Sequence, residues 1–175
     1  FISLEGQVAL VTGASRGIGR AIAEQLADLG AKVIGTATSE SGAAAISAYL
    51  GERGQGLVLN VADTDSIEQC LEQIKTQFGD IDILVNNAGI LYSGNFEKTP
   101  IEAHHRTVDI NIKGVINGCH AAFPFLERAA FARVINLSSA SAIYGQADLA
   151  SYATSKFAVR GLTESLDIEW HKHGI

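Results

Sequence analysis

Val8-Ala9-Leu10-Val11-Thr12-Gly13-Ala14-Ser15-Arg16-Gly17-Ile18-Gly19 is the stretch whose reading decides the fold. Its four leading apolar residues make a short strand. Three glycines then fall within seven positions, and Ile18, Ala21, Ile22, Leu26 and Leu29 follow at helical spacing, with Gly30 as the stop. Glycines let a backbone turn sharply and approach a phosphate, and the N-terminus of the next helix offers unpaired N–H groups and a partial positive charge. The spacing is G-x-x-x-G-x-G rather than the general G-x-G-x-x-G. Such a turn can be purely structural. A strand before it and a helix after it favour a dinucleotide site built from Gly13, Ala14, Ser15, Arg16, Gly17, Ile18 and Gly19.

The same alternation continues along the chain. Lys32–Thr36, Gly56–Asn60, Ile83–Asn86 and Arg133–Leu137 read as further strands, mostly unbroken apolar runs, as expected where both faces of a parallel sheet are covered. Ile67, Cys70, Leu71, Ile74 and Phe78 mark a helix over Asp65–Phe78 that Asp63 or Thr64 could cap. Another helix runs from about Pro100 to beyond Leu126, bent near Asn111 or Pro124. The last begins near Ser151 and carries Val159, Leu162, Leu166 and Trp170. Repeated β-α units predict right-handed crossovers and a doubly wound parallel α/β sheet, a Rossmann fold.

The 175 residues, 47% of them hydrophobic, suit one globular domain over residues 1–175. A net charge of −6, with only 13 Lys and Arg and no basic block, argues against a nucleic-acid surface. No apolar run reaches the roughly 18 residues of a membrane span. Phe1–Glu5 has no basic region of a leader, and Val8–Val11 is too short for one. Cys70 and Cys119 fall in helical stretches as reduced packing residues, so a cytoplasmic setting is expected. No set of histidines has metal-site spacing, so no metal is expected.

Tyr152 and Lys156 lie four apart, on one face of a helix, with Ser139 thirteen positions upstream. A free tyrosine has a pKa of about 10. A cation within a few ångströms can lower such a value by roughly one to three pH units, toward the range where acid–base work near neutrality is efficient. Tyrosine and lysine can also stand four apart by chance. A preference for NADP(H) over NAD(H) is expected, because an NAD site usually places an acid at the end of the second strand. Here that region is Gly35-Thr36-Ala37-Thr38-Ser39, and Glu40 comes late. Arg16 could meet a 2′-phosphate with its guanidinium, or be an exposed solvated cation.

Together Thr12–Gly19, Asn86-Asn87-Ala88-Gly89, Asn111, Ser139 and Tyr152-x-x-x-Lys156 resemble the short-chain dehydrogenase/reductase family in order and spacing. The resemblance implies reversible hydride transfer between NAD(P)(H) and an alcohol or ketone, so the expected partner is a small carbonyl or alcohol substrate. It implies that Tyr152 is the proton donor in reduction, that Lys156 lowers its pKa and binds the nicotinamide ribose, and that Ser139, rather than Ser138 or Ser141, holds the substrate oxygen. Asn111 would kink its helix and hold a water of a proton relay; the plainer reading is a solvent-facing polar residue. Asn87, Ala88 and Gly89 would lie against the cofactor, with Asn86 holding that loop to the sheet. Asn60 and Val61 would contact adenine, and Thr38 would lie beside the adenosine phosphate.

Residues 1–90 especially resemble bacterial 3-oxoacyl-(acyl-carrier-protein) reductases. After Leu91 the likeness shifts, as in Asp109–Gly114 and Ser138–Gly145, toward relatives acting on alcohols, aldehydes or ketones. A seam near Ile90 between halves of different parentage is therefore an expectation. Ala129–Ala132 and His173 remove positive charge, which puts acyl-carrier-protein docking in doubt. The family continues through further strands beyond a position like Ile175, so the chain reads as C-terminally incomplete, with Val134 and Ile135 on an exposed sheet edge. A homodimer or homotetramer through the helices bearing Asn111 and Tyr152 is implied. Alternatives to a 3-oxoacyl reductase are a reductase of small ketones or aldehydes, and a non-catalytic dinucleotide-binding module. His104 and His105 read as surface residues, and His120 as packing or helix surface. Tyr144 and Gln146 could line the cleft or fill a loop. Phe123, Phe125 and Phe131 read as core or a helix-pair interface.

Overall fold

The computed structural model describes residues 2–175; Phe1, part of the leader reading above, lies outside them. Five parallel strands form one sheet in the order β3-β2-β1-β4-β5, with β1 Val8–Val11, β2 Lys32–Ala37, β3 Gly54–Val58, β4 Ile83–Asn86 and β5 Arg133–Asn136. Six helices flank it: α1 Gly17–Asp28, α2 Glu40–Leu50, α3 Thr64–Phe78, α4 Ile101–Val108, α5 Gly114–Leu126 and α6 Ala150–Trp170. Alternate residues along the strands feed two cores. Leu10, Ile34, Leu57 and Leu84 pack with residues of α3, α5 and α6, while Ala9, Val11, Val33 and Val85 pack with α1 and α2. Chain order reverses between β1 and β4, so the loops leaving these two strands flank a crevice, the place where open α/β sheets bind ligands.

The local signals act as their chemistry requires. Asp63 caps α3 by accepting from the N–H groups of Asp65 and Ser66. Gly30, at φ 101°, ends the first helix in a conformation other residues avoid. Three sequence expectations change. First, α1 buries Gly19, Ala23 and Ala27, leaving Ile18 67% exposed, because small residues let the helix approach the sheet closely. Second, β3 starts at Gly54, two residues earlier than its apolar run suggested, and ends at Val58. Its glycines are required by contact: a Cβ on Gly56 would stand 1.9 Å from the Ala43 carbonyl oxygen of α2. Third, α2 itself was not singled out, although Ala43, Ile46 and Leu50 are its buried positions and Ser39 caps it by accepting from the Gly42 N–H.

The helix expected to bend near Asn111 carries a π-helical turn there, Asp109–Lys113, between α4 and α5. Pro124 also lies inside α5. β5 pairs only with β4 and forms an edge, where Val134 is half-buried and Ile135 is 46% exposed, as the sequence suggested. Phe125 is core, Phe123 packs on the rings of Trp170 and His173, and Phe131 is exposed beneath the Arg133 guanidinium rather than buried. Burial pushes the thiols of Cys70 and Cys119 up to about 11, so both are inert packing groups at neutral pH. No helix among the described residues is long and apolar enough to cross a membrane.

Replacement of Gly56 by alanine must push α2 off β3. Unfolding in urea should show a loss of about 2–3 kcal/mol; an unchanged midpoint would mean that α2 yields freely.

Candidate active site

The loop leaving β1 is held by its own strand ends. The Thr12 hydroxyl accepts from the N–H groups of Asn87 and Ala88, both at 3.0 Å. The Asn87 carboxamide donates back to the carbonyls of Thr12 and Gly13, each at 3.0 Å. A Cβ on Gly19 would lie 2.2 Å from the Gly13 carbonyl oxygen, so only glycine permits this fold-back. The Tyr49 hydroxyl donates to the Ala14 carbonyl at 2.7 Å, and burial, then the charge of Glu24, pushes its pKa up to about 12, so it stays a donor throughout the physiological range. Arg16 precedes α1 in extended conformation without capping it, leaving first-turn N–H groups of that helix without a side-chain partner.

This loop opens on a cleft of about 480 Å³. Gly13, Ser15, Arg16, Gly17, Ile18 and Gly19 line it, with Thr38, Asn60 and Val61 on one side and Asn87, Ala88 and Gly89 on the other. Ala14 does not line it: its side chain is fully buried and packs in the core. Asn87 is the clasp of the glycine loop as well as a lining residue. Asn86 points away, donating to Asn136 of β5 at 2.9 Å and to Cys119 Sγ at 3.3 Å, and so anchors β4. Glu40 opens α2 and does not reach the cleft among the described residues. Sequence reasoning missed Thr12, whose hydroxyl role follows only from the β1–β4 neighbourhood. It also missed Arg106 and Ile110, which line the cleft from α4 and the π turn. Their one signal was position, five and one residues before Asn111.

Of the groups expected to move a proton, Asn111 meets the wall of that cleft through Ile90, whereas Ser139, Tyr152 and Lys156 are not among the residues that line it. Asn111 is buried, not solvent-facing. Its amide donates to the Ile90 carbonyl at 2.8 Å and to Ser155 Oγ at 3.1 Å, and its oxygen accepts from the Ile90 N–H at 2.8 Å. Ile90 is part of the cleft wall, and Ser155 Oγ donates to the Tyr152 carbonyl at 2.6 Å. Asn111 therefore ties the cleft to the first turns of α6. There Lys156 Nζ stands 5.7 Å from the Tyr152 ring centroid and donates to the Leu137 carbonyl at 2.9 Å, just past β5. Lys156 is 8% exposed, and burial pushes its pKa below the ordinary 10.5. Ser139 Oγ accepts from the Ser141 N–H at 3.2 Å, and Ser141 is itself buried. The exposed Tyr144 and Gln146 sit in the loop between β5 and α6, where Ser141 Oγ donates to Gln146 Oε1 at 3.4 Å. His104 is not a free surface residue: both ring nitrogens have partners, Ser151 Oγ and the Phe96 carbonyl. His105 and His120 are exposed.

A family profile described as short chain dehydrogenase matches residues 7–175. The chain belongs to the short-chain dehydrogenase/reductase family. It is an oxidoreductase of that family and has bacterial reductases among its relatives. It is 48% identical over 172 residues to the 3-oxoacyl-(acyl-carrier-protein) reductase FabG of Haemophilus influenzae, covering 98% of this chain and 71% of the relative. It is 47% identical over 174 residues to FabG of Escherichia coli, covering 99% and 71%. A gluconate 5-dehydrogenase from Burkholderia cenocepacia, solved with NADP and tartrate, superposes with a TM-score of 0.93 at 30% identity, covering 99% of this chain and 69% of that one. These continuous matches remove the seam expected near Ile90: one relative accounts for both halves.

Lysine burial makes the stability of this short-chain dehydrogenase fold depend on pH. Lys156 releases its proton earlier folded than unfolded, so between the lowered value and 10.5 the unfolded chain binds more protons and stability rises with pH. Urea midpoints measured across that window should rise for the unaltered chain relative to Lys156→Met. A gap independent of pH would contradict the burial effect.

Proposed function

We propose that residues 1–175 form a single NADP(H)-binding Rossmann domain that reduces a ketone to a secondary alcohol, reversibly, with a 3-oxoacyl thioester as the first candidate substrate. The observation that carries the reading is the buried Lys156 ammonium beside the Tyr152 ring, joined to the glycine cleft through Asn111. The family and the reductases among its relatives support it.

The cleft fits a dinucleotide. Gly17, at φ 56°, has nothing within 4 Å of where its Cβ would stand, so the turn is open toward the cleft. Gly13–Gly19 would hold the pyrophosphate, with Thr38 and Arg16 at a 2′-phosphate and Asn60 and Val61 at the adenine. When bound, the nicotinamide supplies or accepts the hydride. Tyr152 Oη gives its proton to the carbonyl oxygen as the alcohol forms and takes it back in oxidation. Lys156 would hold the nicotinamide ribose. Ser139 Oγ, oriented by the Ser141 N–H, keeps its own proton free to hold the same substrate oxygen. Asn111 uses its whole side chain to fix Ile90 and Ser155, so its part in a proton relay would be positional or through its main chain.

The substrate would be a small carbonyl or alcohol compound. Acyl-carrier-protein docking remains disfavoured, because His173 sits against Glu127 at 2.9 Å and Arg128 against Asp80 at 2.7 Å, leaving little free positive charge there. Exposed Ile116, Phe157 and Ile168 on α5 and α6 would support a homodimer or homotetramer. The two inert thiols are compatible with a cytoplasmic enzyme.

NADPH absorbance with 3-oxoacyl thioesters and small ketones tests the reading. Tyr152→Phe should lower kcat on the order of 10²–10⁴-fold with NADPH binding unchanged; NADPH binding without turnover of any ketone by the unaltered chain would leave only a binding module. Arg16→Ala should weaken NADPH about 10- to 100-fold and spare NADH. An unchanged preference would reassign the 2′-phosphate contact.

A further inference from the structure

The helix that carries Tyr152 has no cap of its own. Leu149 precedes α6 without a capping side chain, and Asp148 before it sits at φ 63°, a conformation costly for a residue with a Cβ. The start of α6 is instead held from outside, by the segment between β4 and α4. The Gly94 N–H donates to the Asp148 carbonyl at 2.9 Å, and Asn95 Nδ2 donates to Asp148 Oδ1 at 3.1 Å. His104 Nδ1 lies 2.6 Å from Ser151 Oγ, and its Nε2 lies 3.1 Å from the Phe96 carbonyl. The Phe96 ring covers the imidazole with centroids 4.5 Å apart.

Two polar ties therefore bracket Tyr152. His104 reaches Ser151, immediately before it, and Asn111 reaches Ser155, three residues after it. Ser151 and Ser155 are four apart and share a face of α6. His104 and Asn111 are seven apart, about two turns along the continuous helical rod of α4 and the π turn. The rod and α6 are thus joined at two rungs, with the tyrosine between them. A carbonyl can only accept, so Nε2 carries the proton toward Phe96 and the neutral ring accepts from Ser151 at Nδ1. If the ring is protonated, the Ser151 hydroxyl can turn and accept, so both contacts persist in either charge state.

We propose that His104 is a positioning residue for Tyr152, acting through Ser151. The inference rests on the function proposed above. It predicts that His104→Ala lowers kcat about 10- to 100-fold, with KM and the NADPH dissociation constant changed less than about twofold. His104→Asn, which keeps a polar atom near the place of Nδ1, should recover most of kcat. Ser151→Ala should reproduce the loss, and the double variant should be no worse than either single one. Ser151→Ala removes one oxygen, so it keeps the test open if His104→Ala folds poorly. A folded His104→Ala with full kcat, an equal loss in His104→Asn, additive losses, or a change confined to KM would overturn the proposal. If the unaltered chain turns over nothing, the proposed function fails. The contact is then read by the ¹⁹F line of fluorotyrosine at position 152, identified by its disappearance in Tyr152→Phe. That line should move in His104→Ala and return in His104→Asn; a line unmoved by His104→Ala would overturn the contact as well.

Discussion

The carboxamide of Asn111 is the point on which the catalytic end of the molecule turns. It is 1% exposed, and its oxygen and both of its amide hydrogens are spoken for by Ile90 and Ser155. A buried polar group left unmatched costs about 1–3 kcal/mol, so a chain that placed Asn111 here without partners would rearrange around it. The π turn is what allows the placement. It widens the rod between α4 and α5 by one residue and turns Asn111 inward, toward a backbone segment that has left the sheet and has no ladder to join. Ile90 N–H and C=O are met by one side chain as a neighbouring strand would have met them. The loop after β4, the rod and α6 thereby become one unit.

The other end of the site rests on a different device with the same logic. Thr12 and Asn87 exchange hydrogen bonds across β1 and β4, the two strands between which chain order reverses. Where that order reverses, the helices after the two strands leave on opposite faces and open a crevice, so each loop needs an anchor to its neighbour. The Thr12 hydroxyl accepts the Ala88 N–H, which the end of β4 would otherwise leave unpaired, and shares the Asn87 N–H with the Val85 carbonyl. Glycine at 13 and 19 then permits a backbone approach that any side chain would block. Strand order makes the crevice, and these contacts keep its two lips at a fixed separation.

Three strands, β1, β2 and β4, were legible because they are buried along nearly their whole length and read as mostly apolar runs, while β3, at the edge opposite β5, buries only Gly56 and Leu57. β5 alternates exposed and half-buried residues, as an edge strand does; its start at Arg133 was found, and it ends at Asn136, one residue before the expected Leu137. What could not be read was contact between distant segments. Gly54 looks like punctuation in a sequence and is in fact a strand position, where a Cβ would stand 2.0 Å from the Val33 carbonyl oxygen of β2 and 2.8 Å from the Leu50 side chain of α2. Ala23 and Ala27 look unremarkable beside Ile22 and Leu26, yet they form the face of α1 that meets the sheet. Of the candidate site, the residue types and spacings singled out Tyr152, Lys156 and Ser139, the groups proposed for the chemistry, and the glycines that line the cleft. Ala14 belonged to the core, and His104, Thr12 and Arg106 took their meaning only from neighbours dozens of residues away.

A molecule with net charge −6 that is to take an anionic dinucleotide, as proposed above, must solve its electrostatics locally. At physiological salt, charges more than about 8 Å apart are largely screened, so the acids scattered over the surface matter less than the few groups in the cleft. Of the seven arginines, Arg20, Arg53, Arg128 and Arg160 are paired with carboxylates, and Arg133 with a carbonyl and the Phe131 ring. Arg16 and Arg106 are the two without a hydrogen-bond, ion-pair or ring partner among the described residues, and both line the cleft. A paired guanidinium has already spent its field on a neighbouring carboxylate; an unpaired one projects it. With the uncapped start of α1 between them and the sheet, these two side chains make the cleft a positive place in a negative protein. Arg16 also leaves the α1 cap position without a side-chain hydrogen bond, where serine or aspartate would have satisfied the helix and closed it to a phosphate.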